Sequence, residues 1–223
     1  MNIKDRKSKA SNYRYLAEMA DSGYNPNTIG EFHKLCLPYL GEQFFPEKDS
    51  RIIDIGAGWG HCLIPLKLVG YSNLYAVDID SSARTCLEIE DIDFFQVNIE
   101  RERIPLEDSY VNVVISFHLI EHLVDPTNFM AESYRILKSG GIFIIVTPDW
   151  RKEYKVFWRD HTHVHPYDKE SIARIARCFG FETLWLRSFG CLRGIGRSRL
   201  WKLWKTLMFT GSALILVARK PFN

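Results

Sequence analysis

No stretch of this chain is apolar over a bilayer's thickness. The longest apolar run, residues 206–218, is broken by Thr210, Gly211 and Ser212, short of the about 20 residues that a spanning helix needs. Residues 1–7 are charged and lack the apolar core of a secretory signal. There is no CxxC pair. The five cysteines, Cys36, Cys62, Cys86, Cys178 and Cys191, are odd in number and scattered, which argues against a disulfide framework and for reduced thiols in a cytoplasmic protein. Internal repeats and low-complexity linkers are also missing, so a single domain over 1–223 is expected. Acidic residues stop at Glu182, yet the last 41 positions hold eight bases, while residues 1–182 hold 21 bases against 27 acids. The net charge of +2 therefore conceals a basic C-terminal region suited to something anionic. With so few bases, clustered at one end and without a recognisable RNA-binding module, no nucleic-acid partner is expected.

What is present is an α/β rhythm. Hydrophobic residues make up 46% of the chain and aromatic ones 13%, enough for a sizeable core. Residues 11–45 read as a helical N-terminal cap, whose second helix opens at Pro26 and Asn27 and is limited by Pro38 and Gly41. From Arg51 onward, short runs rich in Val and Ile (51–55, 73–78, 92–97, 111–116 and 141–147) alternate with helical spacers at 60–69, 81–89 and 127–137. Runs apolar throughout are strands covered on both faces, and the alternation predicts a Rossmann-like, doubly wound, mostly parallel sheet. A helix at 168–179 follows, then runs at 182–189 and 212–219 that can pair as an antiparallel hairpin around a long insertion, 190–210.

The first strand ends in Asp54-Ile55-Gly56-Ala57-Gly58-Trp59-Gly60. Alternate glycines let a strand-to-helix turn bring bare backbone close to a ligand. A dinucleotide fingerprint would need its third glycine where His61 stands. Asp54 would repel a pyrophosphate and attract a cationic amino group. The second strand ends at Asp78, where a carboxylate can accept hydrogen bonds from both hydroxyls of an adenosine ribose.

Here the sequence resembles the class I S-adenosylmethionine-dependent methyltransferases, in particular the branch (methyltransferase type 11-like) that acts on small molecules. Asp54–Gly60 matches that family's first motif and Asp78 its ribose-binding acid; the likeness continues through Ile104-Pro105-Leu106, Val113–Ser116, Glu121-His122-Leu123 and Leu137–Ile142. The resemblance implies a seven-stranded sheet with a reversed last strand and a cofactor, S-adenosyl-L-methionine, lying across the tips of strands one to four. It also implies cofactor contacts at Asp54, Gly56, Gly58, Gly60, Asp78, Ile79, Asn98, Ile99 and His118; separately from the resemblance, Tyr13 or Tyr15 of the N-terminal segment is expected to close over the cofactor. Asn98 and Asn112 depart from the family's usual Asp, and the Asn98 amide can still bond to the adenine edge.

Methyl transfer to a hydroxyl needs a base beside the acceptor, and two histidine groups are candidates. His118 and His122 flank Glu121; in a helix they would share a face. The family pattern contains Glu121 and His122 but not His118, and His122 reads equally well as a loop-orienting residue. The second group is His161, His163 and His165, which an extended chain would turn to one side; His163, in a Thr-His-Val stretch found in the family, is the favoured base or acceptor-orienting group. Alternating histidines can also hold a divalent metal, but no carboxylate partner is evident, so no metal is expected.

In the insertion, Leu200, Leu203, Trp204 and Leu207 form one helical stripe opposite Arg199, Lys202 and Lys205. Residues 197–208 thus either pack on the domain or a second subunit in a homodimer, or make a peripheral contact with an anionic membrane or a phosphate-bearing acceptor. The expected reaction is methyl transfer to a small-molecule hydroxyl on a sugar, glycan precursor or prenylated (lipid-linked) metabolite. The alternatives are a methyltransferase acting on protein or RNA and a non-catalytic, cofactor-binding regulatory protein.

Overall fold

The computed structural model describes residues 31–189 and 212–222. Tyr13, Tyr15 and the insertion stripe at 197–208 lie outside them. The described chain runs α1 (Glu31–Phe44), β1 (Arg51–Ile55), α2 (Leu63–Leu68), β2 (Asn73–Asp78), α3 (Arg84–Ile89), β3 (Asp93–Gln96) and β4 (Val111–Phe117). A single 3-10 turn, Ile120–His122, leads to α4 (Thr127–Ile136), β5 (Leu137–Pro148), α5 (Trp150–Glu153), a second 3-10 turn at Phe157–Arg159, α6 (Lys169–Cys178), β6 (Glu182–Phe189) and β7 (Ala213–Arg219).

All seven strands join one sheet in the order β3-β2-β1-β4-β5-β7-β6. β1 to β5 are mutually parallel, and β7 runs antiparallel between β5 and β6. The expected α/β fold with a reversed last strand is therefore present. The strand order reverses between β1 and β4, and a doubly wound sheet opens a crevice at that switch, beyond the carboxyl ends of its strands.

Side-chain alternation divides the core into two layers. Ile52, Val113, Ile115, Ile144, Val146, Ile215 and Val217 pack on one face, with Leu37 and Leu40 of α1. Ile53, Ile55, Val114, Phe143, Ile145, Leu214 and Leu216 pack on the other, against Phe129 and Met130 of α4 and Ile172 of α6. Both faces are covered, which is why the sequence runs are apolar without alternation.

Four local features differ from the expected spans. α1 is not limited by Pro38 and Gly41 but runs through both to Phe44. α2 begins at Leu63 rather than 60, because residues 56–62 form a turn in which Gly56, Gly58 and Gly60 all have positive φ. α3 is likewise shorter than 81–89, its first turn being taken by the Asp80 carboxylate, which accepts from the Ser82 backbone N–H at 2.9 Å. β5 begins four residues before the expected 141, since Leu137 pairs with Val111 across a register shift. α6 is fixed by a capping box in which Asp168 accepts from the Ser171 N–H and Ser171 accepts from the Asp168 N–H.

Gly60 has φ +76°, and a Cβ there would lie 2.4 Å from Cδ2 of Leu87 on α3. This glycine allows the turn to pack against the neighbouring helix. Gly60→Ala is expected to cost about 1–2 kcal/mol from the left-handed backbone alone, read as a lower urea midpoint at unchanged m-value.

Candidate active site

Two adjoining cavities open in the crevice. One, of about 300 Å³, is lined by Val97, Asn98, Ile99 and Arg101. The other, of about 510 Å³, is lined by Gly58, Trp59, Ser82, His118, His161, Thr162 and Val164. Gly56, Asp78, Ile79, Leu119 and His122 contribute to both. The turn after β1 keeps the floor bare: a Cβ on Gly56 would sit 3.1 Å from the Leu119 side chain, whereas Gly58 faces open space at φ +48°.

At the end of β2, Asp78 is clasped by the backbone. Oδ2 accepts from the Gly58 N–H at 2.8 Å and Oδ1 from the Asp80 N–H at 2.9 Å. Each oxygen has a second lone pair, which suits it to a pair of vicinal hydroxyls. Burial raises the Asp78 pKa, and these N–H donors work against that rise.

Asp54, on β1, is 1% exposed, and neither of its carboxylate oxygens has a hydrogen-bond partner. Burial pushes its pKa up to about 7, with the charge of Asp78 adding to the rise and the adjoining Cys62 thiol opposing it. A buried carboxyl left unsatisfied next to the crevice suits an incoming ammonium group. Together with the bare glycine turn and the clasped Asp78, it fits the amino, ribose and methionyl parts of S-adenosylmethionine.

Beyond β4 the chain reverses at His118, which takes φ +54°. Its Nδ1 lies 3.2 Å from Oε1 of Glu121, a residue with no exposed surface. Oε2 of Glu121 accepts from the Thr147 hydroxyl at 2.9 Å. Burial opposes charge on His118, but the hydrogen bond and charge of Glu121 win and raise its pKa. Burial likewise works against ionised Glu121, and His118 and His122 together bring its carboxyl below the usual range. His122 is depressed by burial, with Glu121 acting in the opposite direction.

The second histidine group does not converge as an extended chain would require. Asp160 accepts from the Thr162 backbone N–H at 2.9 Å and from the Thr162 hydroxyl at 2.6 Å, and this bends the chain at 161–162. His161 reaches the larger cavity. His163 turns away from it: its Nδ1 lies 2.8 Å from the Phe157 carbonyl oxygen, and its ring packs 4.4 Å from Phe157 and 4.7 Å from His122, centroid to centroid. His165 bonds to the Val124 carbonyl oxygen at 3.1 Å. His163 therefore stands behind the cavity wall, and the imidazoles on the wall are His118, His122 and His161.

Among the other expected cofactor contacts, Gly56, Gly58, Asp78, Ile79, Asn98, Ile99 and His118 line the crevice. Gly60 does not line it and acts in packing; Asp54 lies beneath it. The Asn98 Oδ1 accepts from the Glu100 N–H at 3.1 Å, so its amide oxygen shapes the loop after β3. Sequence reading assigned no role to Glu121 or Thr147. Glu121 stands out in the sequence only as part of the Glu121-His122-Leu123 likeness, and its burial, with its bond to Thr147 of β5, is a product of the fold.

Asp78→Ala is expected to weaken binding of S-adenosylhomocysteine by at least about tenfold, the value of one lost hydrogen bond to a charged group, as measured by calorimetry. The apo protein must release a proton from Asp54 to receive an ammonium. Affinity should therefore rise as pH increases towards about 7 and level off above it, and Asp54→Asn should flatten that profile.

Residues 28–185 match the family described as "Methyltransferase domain". The chain is 30% identical over 151 residues to a Mycobacterium tuberculosis protein named "Probable S-adenosylmethionine-dependent methyltransferase", covering 57% of this chain and 54% of that one. It is 26% identical over 200 residues to the chloroplastic 2-methyl-6-phytyl-1,4-hydroquinone methyltransferase of Arabidopsis thaliana, covering 84% and 56%. The chain thus spans about half the length of these curated relatives. The crystal structure of a SAM-dependent methyltransferase from Archaeoglobus fulgidus has the same fold, with a TM-score of 0.66 at 20% identity over 93% of this chain and 100% of that one. With the glycine turn and the clasped Asp78 in the crevice of a sheet with a reversed last strand, and the buried Asp54 beneath it, the chain belongs to the class I S-adenosylmethionine-dependent methyltransferase family.

Proposed function

We propose that this protein transfers the methyl group of S-adenosylmethionine to a hydroxyl of a small molecule: a sugar, glycan precursor or prenylated metabolite. The observation that carries the hydroxyl assignment is the His118–Glu121 pair on the wall of the larger cavity. An amine acceptor needs little help in losing a proton, whereas a hydroxyl needs a positioned base. The buried Cys36 and Cys62 and the exposed Cys178 are free thiols, which supports a reducing, cytoplasmic setting. Among the described residues no helix is long and apolar enough to cross a membrane.

When bound, the cofactor supplies a methyl group on a sulfonium that leaves as a neutral thioether. Asp78 accepts from the ribose hydroxyls, Asp54 attracts the ammonium, and the Gly56 backbone permits close approach. Glu121 holds His118 by Nδ1, which leaves Nε2 to accept the acceptor's proton. Thr147 fixes the other carboxylate oxygen, so the imidazole is aimed before substrate arrives. Leu119, Trp59 and Val164 give that space apolar walls. His163 supports His122 from behind and acts on positioning.

Incubation with methyl-labelled S-adenosylmethionine and fractionated cell extract tests this reading. Label is expected in the small-molecule fractions. Label confined to protein or RNA would overturn the acceptor class, and binding of S-adenosylhomocysteine without any transfer would overturn the activity. With an identified acceptor, His118→Asn is expected to lower kcat by about 100-fold or more, with a much smaller change in S-adenosylhomocysteine affinity.

A further inference from the structure

The spacing of His161, His163 and His165 offers no carboxylate for a metal, but the fold assembles a different set. Glu121, His122 and His163 each present one ligand atom, and the three atoms lie within 4.8 Å of one another. We propose that Glu121, His122 and His163 bind one divalent transition-metal ion of the zinc class in the wall behind the larger cavity.

Hydrogen bonds fix how the two imidazoles face each other. The Phe157 carbonyl can only accept, so Nδ1 of His163, 2.8 Å away, carries the proton. In the neutral ring the lone pair is then on Nε2. The Thr162 hydroxyl donates to Asp160 at 2.6 Å, and it therefore accepts from Nδ1 of His122 at 2.8 Å. That again leaves the lone pair of the neutral ring on Nε2. Two such rings, 4.7 Å apart, stand beside the fully buried carboxylate of Glu121. Two imidazole nitrogens and a carboxylate oxygen gathered at the part-buried edge of the cavity suit a cation, and the Asp160 carboxylate, 3.8 Å from Nε2 of His163, adds to the negative charge there. An imidazole that gives its other N–H to a carbonyl, or through a hydroxyl to a carboxylate, is also the arrangement that holds a metal-binding ring in the correct tautomer.

The donor set selects the ion class. Two imidazoles and a carboxylate suit zinc and its first-row neighbours, whereas calcium and magnesium prefer all-oxygen shells. Three protein ligands leave a coordination position open, and His122 lies on the cavity wall. An acceptor oxygen entering from the cavity can fill that position and become more acidic; this role, unlike binding of the ion itself, rests on the methyl-transfer reading above.

The test is metal retention by the full chain. After EDTA treatment, equilibration with Zn²⁺ and gel filtration, about one zinc per chain is expected, and Co²⁺ in its place should give visible absorption that Zn²⁺ abolishes. His163→Gln should weaken zinc binding by at least about 100-fold, while His165→Gln, whose ring lies on the Val124 carbonyl, should not. Retention of no metal by the wild type, or equal retention by a His163→Gln protein whose circular dichroism is native, would overturn the proposal. Should His163→Gln not fold, X-ray absorption of the zinc-loaded wild type reads the ligands directly: two imidazoles support the site, and a shell without them overturns it. Uptake is measured without cofactor or acceptor. Failure of methyl transfer therefore leaves this result standing, and transfer without metal uptake removes this proposal alone.

Discussion

The buried residue Glu121 ties together the chain segments around the larger cavity. Its carboxylate takes His118 on one oxygen and the Thr147 hydroxyl of β5 on the other. Its backbone carbonyl accepts the N–H groups of Val164 at 2.8 Å and His165 at 3.2 Å. Three stretches of chain far apart in sequence therefore meet at one residue. A lone carboxylate this deep would be costly, and the cost is offset because its partners are the groups that need holding: a histidine in a left-handed turn, a strand end, and the loop that carries His161 and His163. Losing the Glu121 side chain would uncouple the wall of the cavity from its floor.

A second carboxylate pair, Asp54 and Asp78, sets the electrostatics of the cofactor side. They end adjacent parallel strands, and β1 and β2 are in register from Arg51 with Asn73 to Ile55 with Val77. Asp78 is satisfied by backbone donors, while Asp54 has the Cys62 thiol beside it but no backbone donor. The two acids thus differ in what they can offer a ligand. Asp78 contributes geometry, through lone pairs whose directions are fixed. Asp54 contributes buried negative charge, which in the proposed function favours an ammonium over the pyrophosphate that many sheets of this type receive at the same crevice.

Much of this was legible in the sequence because it depends on local patterns. Apolar runs without alternation identified the covered strands, and the glycine turn with an acid at each of two strand ends identified the crevice. The start of β5 is not legible in this way, because Lys138 to Gly140 carry turn chemistry while Leu137 before them pairs with Val111 of β4 and the ladder resumes at Ile142. The histidines show the limit more sharply. Alternate spacing points side chains one way only in an extended chain, and Asp160 with Thr162 bends this one. The motif points to Gly60 as a ligand contact, and the sequence does not show that Leu87 packs where a Cβ on this glycine would lie. Glu121 gave little signal, because burial of an acid is decided by what packs over it.

The position of β7 has a consequence for biosynthesis. This strand lies between β5 and β6, bonded to both, and just after it the Lys220 ammonium donates to the carbonyls of Tyr134 at 2.9 Å and Leu137 at 2.8 Å at the end of α4. While the chain emerges from the ribosome, β5 has one open edge and β6 has no neighbour until residues 213–219 appear. Closure of the sheet is thus deferred until β7 has been made, and until then the nascent chain carries an unpaired apolar strand edge.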